Sequence, residues 1–230
     1  PEDLPLLPVM PLTIRKAETA EDRQRLFRFR YEIYVEEMQR PQRYANHQAR
    51  TIIEPFDETG HHLIAEDEEE RLAGTLRTNF GGESRFDDYH DLYGMDCLGD
   101  FPLERVSITT KLMVRPEHRL GTLGMRLARK VYRFGLQRGI LVDFIDCNAP
   151  LEPVFEGLGY RRYRSRVQHP EYGDVLPLVL LLTDLEHLEA VGSPFARLCR
   201  ENCPQHAARR LLQPGFQAFH PPSNLPTAAA

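Results

Sequence analysis

"TTKLMVRPEHRLGTLGMRLARKVYRFG" (residues 109–135) decides the reading of this chain. It starts as a strand, breaks at Pro116 and resumes as an amphipathic helix. Between the two lies "RLGTLG" (119–124), with two glycines and an arginine. The first turn of a helix leaves backbone N–H groups unpaired and carries partial positive charge, so it is a ready anion site. Glycines let an anion approach the backbone, and Arg119 adds a charge-assisted donor. The competing reading is that Gly121 and Gly124 only ease helix packing. The residues alone leave both open.

Outward from this stretch, the chain reads as alternating strands and helices. "LTIRKA" (12–17) is a short strand, and "TAEDRQRLFRFRYEIYVEEM" is a helix with Thr19 as N-cap and Glu21 and Asp22 in its first turn. The polar, proline-broken segment that follows is a long loop. "HHLIAEDEEERLAGTLRTNF" is a hairpin with an acidic turn at 67–70, and residues 81–102 are a long irregular insertion. "LERVSITTKLMV" is a strand and "HRLGTLGMRLARKVYRFGLQRG" a helix of about five turns, stopped by Gly139. "ILVDFIDCN" is a strand, "APLEPVFEGLGY" a short helix ended by Gly157 or Gly159, and "YRRYRSRV" and "DVLPLVLLLT" the last strands. This order predicts an α/β fold with a mixed sheet, whose central parallel pair is joined by the Arg119 helix. Three parts are expected: an N-terminal arm (1–11), a main domain (12–183), and a helical extension with a tail (184–230).

Composition narrows the function. With 230 residues, 41% hydrophobic and 27% charged, the chain suits a globular fold with a substantial core. A net charge of −5 disfavours nucleic acid as the partner. No window approaches the roughly 20 apolar residues of a membrane span, so no integral membrane segment is expected. "PEDLPLLPVMPL" has no basic segment, and no signal peptide is read there. Cys97, Cys147, Cys199 and Cys203 match no zinc spacing, so a cytoplasmic protein with idle thiols and no metal is expected. The helix after "RLGTLG" carries Arg126, Arg129, Lys130, Arg133 and Arg138 without an acid, and "RRYRSR" (161–166) is likewise acid-free. Such runs are usually solvated faces; here they could also hold a polyphosphate or an acidic carrier protein.

At this point the sequence resembles the GNAT acyltransferase superfamily. That family's phosphate loop follows R/Q-x-x-G-x-G/A. Here Arg119, Leu120, Gly121, Thr122, Leu123 and Gly124 give the best register, with Thr122 where glycine is usual. "DFIDCNAPLEPVFEGLGYRRY" resembles the second hallmark, a strand ending in Asn followed by a helix that closes on Gly-aromatic. The resemblance spans residues 12–183. It implies the GNAT fold: a mostly antiparallel sheet, a central splayed parallel pair and flanking helices. In the N-terminal half, "FRYEIYVEEM", "EPFDETGHHLIA" and "LAGTLR" resemble the acyl-homoserine-lactone (autoinducer) synthases and, more closely, the N-acyl amino acid synthases. Members of the second group join a long acyl chain, carried on acyl carrier protein, to an amino acid's amine.

The resemblance also implies roles. Backbone groups of Leu112, Met113 and Val114 would pair with a pantetheine arm. Residues 119–124 would hold its phosphate, and Asn148 would bond the arm's amide or simply cap the next helix. The donor would thus be acyl-carrying 4'-phosphopantetheine, on acyl carrier protein or as acyl-CoA, and the acceptor an amino acid. Arg30, Tyr34, Asp57 and Arg77 fall on the autoinducer synthases' acceptor cluster. The acid and arginine those synthases carry on the strand before the loop are replaced by Ile108 and Lys111. Attack of an amine on a thioester needs a base, and Glu104, Asp57 and Asp146 are the candidates. Period-two alternation puts Asp146 on one strand face with Asn148, and Lys111 on one face with Thr109 and Met113. Lys111 is a candidate for binding the acceptor carboxylate or for pairing with an acid. Two other readings of the same fold stand beside this one: a short-chain acetyl-CoA N-acetyltransferase, and a catalytically silent module that binds a ligand or partner.

Overall fold

The computed structural model describes residues 11–202. Strand β1 (Thr13–Lys16) leads into helix α1 (Ala20–Tyr31), which continues as a π-turn over Glu32–Glu37. Two-residue strands β2 (Ala45–Asn46) and β3 (Thr51–Ile52) pair in the next loop. A hairpin of β4 (His61–Glu66) and β5 (Leu72–Phe80) precedes α2 (Asp87–Tyr93). Strand β6 (Val106–Val114) is followed by α3 (Leu123–Gln137), β7 (Val142–Cys147) and α4 (Glu152–Leu158). Strands β8 (Arg161–Arg162), β9 (Val167–His169) and β10 (Gly173–Leu181), then α5 (Leu185–Ala190) and α6 (Ala196–Asn202), complete the fold.

The described residues divide into two compact units, 11–53, 61–77 and 111–127 forming the first and 54–60, 78–110 and 128–202 the second. Within the first, the strand order is β1-β4-β5-β6; within the second it is β5-β6-β7-β10-β8, with β9 also on β10. Strands β5 and β6 run through both. The sheet is mostly antiparallel, with β6 parallel to β7 over Val106–Ile108 and Val142–Phe144. That is the parallel pair predicted from the strand-helix-strand order.

Local chemistry explains where the first-unit elements begin. Thr19 closes a capping box at the start of α1. Its hydroxyl accepts from Asp22 N–H at 3.0 Å, and the Asp22 carboxylate accepts from Thr19 N–H at 3.2 Å. The same carboxylate takes Arg15 at 2.6 and 2.7 Å, tying α1 to β1. Leu26, Phe29, Ile33, Ile64, Leu72 and Met113 form this unit's core. Gly74 is required here: a Cβ on it would lie 2.9 Å from the Met113 carbonyl and 3.2 Å from Leu127, so its absence lets α3 approach the sheet.

The second unit buries both faces of β7 and β10. Ile145, Cys147, Leu178 and Leu180 pack with Tyr132, Leu158, Leu188, Phe195 and Leu198, so residues 184–202 contribute to this core. Val106, Ile108, Phe144, Val179 and Leu181 pack with Phe86, Tyr93 and Met95.

Several sequence expectations change. The insertion at 81–102 is not irregular: α2 forms because Phe86, Tyr89 and Tyr93 recur at helical spacing and stack toward Phe144, a pattern hidden by the surrounding Gly and Asp. Helix α3 starts at Leu123, because 116–118 close a separate 3-10 turn after Pro116. "YRRYRSRV" supplies only β8 and the first residue of β9. Gly159, with φ +107, ends α4. The expected arm (bar Pro11), Cys203 and the tail lie outside the described residues.

Candidate functional site

Strand β6 is irregular at its centre. Arg115 N–H bonds the Ala73 carbonyl at one end, and Gly81 N–H bonds the Val106 carbonyl at the other, both at 2.9 Å. Eight residue steps separate Ala73 from Gly81 and nine separate Val106 from Arg115, so β6 spends one extra residue, a β-bulge. Lys111 carries it, with φ +58. A non-glycine residue in this left-handed region is held there by its surroundings. The bulge overturns the expected alternation. Thr109 turns its hydroxyl to Asp143, whereas Lys111 is buried with Nζ 5.1 Å from the centre of the Tyr34 ring, a cation–π contact.

Of the expected acceptor residues, Arg30, Tyr34 and Arg77 belong to the first unit and Asp57 to the second. Arg30 and Arg77 are completely buried in the first unit. Arg30 lies 3.3 Å from His62 Nδ1 and over the Phe27 ring. Tyr34 belongs to the π-turn that continues α1. Asp57 sits in the second unit, buried, where its carboxylate accepts from Glu54 N–H at 2.7 Å and closes a 3-10 turn.

The 115–124 loop bears directly on the two readings of its glycines. A Cβ on Gly124 would meet only Val114 Cγ2, at an ordinary 3.9 Å, so packing does not require glycine there. Gly121 is tighter, 3.3 Å from the His118 carbonyl. The first intrahelical bond of α3 is Arg126 N–H to the Thr122 carbonyl. The N–H groups of Leu123, Gly124 and Met125 therefore have no intrahelical acceptor. Leu120 is fully exposed. The Arg119 guanidinium donates through Nε to the Val114 carbonyl at 2.9 Å. It also grips both oxygens of Glu37, at 2.6 and 2.8 Å.

Elsewhere the basic runs are largely engaged in protein contacts. Arg138 pairs with Glu83, Arg161 with Asp184 and Arg162 with Glu152. Arg126 donates to the Leu12 carbonyl, and Arg164 to the Asp91 and Leu92 carbonyls.

The candidate bases differ sharply in environment. Glu104 is exposed in the turn before β6. Asp146 is half-buried and accepts from the Tyr93 hydroxyl at 2.7 Å; burial and that carboxylate push the Tyr93 phenol up. Asn148 does not cap the following turn with its side chain. It donates to the Tyr172 and Asp174 carbonyls at 3.3 and 3.4 Å. Burial pushes the Cys147 thiol up to about 12, against a nucleophilic thiolate. Among the described residues, no group of three or more His, Cys, Asp or Glu side chains is placed to hold a metal ion.

Sequence reasoning missed Asp143. It is buried in β7 and accepts from Ser107 Oγ at 2.5 Å, the Tyr160 hydroxyl at 2.6 Å and Thr109 Oγ1 at 2.9 Å. Loss of solvation raises its carboxyl to about 6, with the three hydroxyl donors partly opposing the rise. The signal was the apolar run around it: Val142, Phe144 and Ile145 make both faces of the strand apolar, so Asp143 meets core on whichever face it takes.

With this geometry in place, the fold is defined: a mostly antiparallel sheet with one parallel pair and flanking helices, the GNAT fold. Residues 29–129 match the acetyltransferase (GNAT) domain family. A search of curated proteins gave no match. Among solved structures, the chain is similar to BjaI, a CoA-dependent acyl-homoserine lactone synthase with SAM and isopentyl-CoA. The identity is 18% and the TM-score 0.59, over 80% of this chain and 90% of that one. It is similar to FeeM, an N-acyl amino acid synthase from uncultured soil microbes, at 11% identity and TM-score 0.63, over 83% and 99%. A GNAT-family acetyltransferase from Staphylococcus aureus MU50 matches at 14% identity and TM-score 0.52, over 75% and 99%. These likenesses establish the fold.

Proposed function

We propose that this protein is an N-acyltransferase that moves a fatty acyl group, long-chain in our reading, from a pantetheine thioester to the amine of an amino acid. The observation that carries the proposal is the run from Lys111 to Gly124. It holds a bulged strand, an arginine, and a helix start whose open N–H groups border a glycine that packing does not require.

In this reading Leu112, Met113 and Val114 offer backbone groups to the pantetheine arm. Arg119, Leu120, Gly121, Thr122 and Gly124 surround its phosphate, and Asn148 bonds an arm amide. The donor is acyl carrier protein or acyl-CoA, and the protein works in the cytoplasm. Lys111 binds the acceptor carboxylate alongside Arg30, Tyr34, Asp57 and Arg77. Asp146 is the preferred base: it is half-buried and already bonded to a phenol, whereas Glu104 stands in solvent. The amine attacks the thioester carbonyl, the base takes the amine's proton, the carbon–sulfur bond breaks, and the pantetheine sulfur leaves as thiolate.

The test is to incubate the purified protein with acetyl-CoA, palmitoyl-CoA or long-chain acyl carrier protein plus pooled amino acids, and to read products by mass spectrometry. A long-chain N-acyl amino acid is expected. An acetylated product alone makes it a short-chain acetyltransferase, and no turnover with tight pantetheine binding makes it a binding module. Arg119→Glu should weaken donor binding by about tenfold or more. Unchanged binding refutes the phosphate assignment.

A further inference from the structure

The π-turn after α1 is fastened at both ends to the segment that precedes α3. Its first residue, Glu32, takes Arg115 at 2.9 Å, and its last residue, Glu37, takes Arg119 through two parallel bonds at 2.6 and 2.8 Å. Tyr34, which contacts Lys111 at the bulge, lies between them. A carboxylate gripping the two terminal nitrogens of an arginine end-on presents two oxygens to two N–H groups, the same geometry that a phosphate presents. Both side chains are partly exposed, Arg119 at 43% and Glu37 at 32%, so the pair is weak enough for a dianion to displace.

We propose that Glu37 stands on Arg119 in place of the donor's phosphate in the ligand-free protein. It acts as an internal competitor that must be released when a phosphorylated pantetheine binds. The proposal rests on the phosphate reading of Arg119. Glu37 thereby sets donor affinity without touching the donor, and its release frees one end of the π-turn that carries Tyr34. Phosphate binding and the position of Tyr34 are then coupled through one ion pair. No covalent step is involved.

The experiment is calorimetric titration of the full chain with 4'-phosphopantetheine. Glu37→Gln removes the competing charge and should tighten binding by about threefold to fivefold, the range an exposed ion pair allows. Glu37→Asp withdraws the carboxylate by one methylene and should shift affinity in the same direction. Arg119→Ala should weaken binding by about tenfold, and in that background Glu37→Gln should change nothing further. If Arg119→Ala leaves affinity unaltered, the phosphate reading fails. If Arg119→Ala weakens binding while Glu37→Gln and Glu37→Asp leave it equal or weaker, the competitor proposal alone is overturned.

Discussion

The two halves of β6 are built on opposite principles. Before the bulge, Ser107 and Thr109 give their hydroxyls to a buried carboxylate, Asp143, whose third partner is another hydroxyl, Tyr160. After it, Lys111 lies against an aromatic ring, and just past the strand's end Arg115 and Arg119 take up carboxylates at partly exposed positions. The first half is closed and its hydrogen bonds are internal. The second half holds its cations in contacts that a ligand's anion can replace. Loss of solvation makes a buried polar network costly to disturb and useless for exchange, whereas an exposed ion pair contributes little to stability and exchanges readily. The donor and acceptor contacts of the proposed function draw on the second half.

The largest expected effect lies in the closed half. Asp143→Ala takes the acceptor from Ser107 and Tyr160 and leaves Thr109 only a 3.3 Å contact with Thr78 Oγ1. It should cost about 4 kcal/mol, read by urea denaturation. A cost under about 1 kcal/mol would mean that the network does not hold β6 in place.

Next is the pH dependence of the same residue. Its carboxyl is raised from an ordinary 3.8 to about 6. The folded protein therefore favours the protonated form. The associated stability is fully present below about pH 4 and is lost as pH rises through 6. Asp143→Asn, which cannot ionise, should gain on the wild type by about 2 kcal/mol between those limits. Parallel stability curves for the two proteins would contradict this environment.

The open half should respond in function rather than in stability. Lys111→Met keeps the apolar stem against Tyr34 and removes the charge. It should raise the acceptor KM about tenfold while unfolding moves by less than about 1 kcal/mol. A large stability loss with unchanged KM would make Lys111 a structural residue.

Gly124→Ala is the smallest change. Its Cβ has room, so helix propensity should raise stability by about 0.5–1 kcal/mol while donor affinity falls. A destabilised protein would restore the packing explanation for that glycine.

Much of this was legible along the chain. Thr19 and Asp22 announce the start of α1 because capping depends on residues three apart. The strand-helix-strand order around Arg119 specifies a parallel pair, since such strands need a crossover. Arg119 and Gly124 were legible as a candidate anion site from helix-end chemistry, beside a packing reading that the residues alone left open. The partners were not legible. Nothing near Arg119 in sequence points to Glu37, and nothing in "FDETG" says that Asp57 turns back on the Glu54 backbone.

The sequence by itself determined the order of elements, their caps and breaks, and the charge and glycines ahead of α3, because these are written in neighbouring residues. Only the tertiary structure decided the bulge at Lys111, a position no glycine marks, and with it which side chains of β6 meet Asp143 and which meet Tyr34. It also decided that close packing needs glycine at 74 and not at 124, and that Arg119 already holds a carboxylate. Each depends on the register between β5 and β6 or on an approach between distant segments, and one extra residue in a strand reverses the facing of every side chain beyond it.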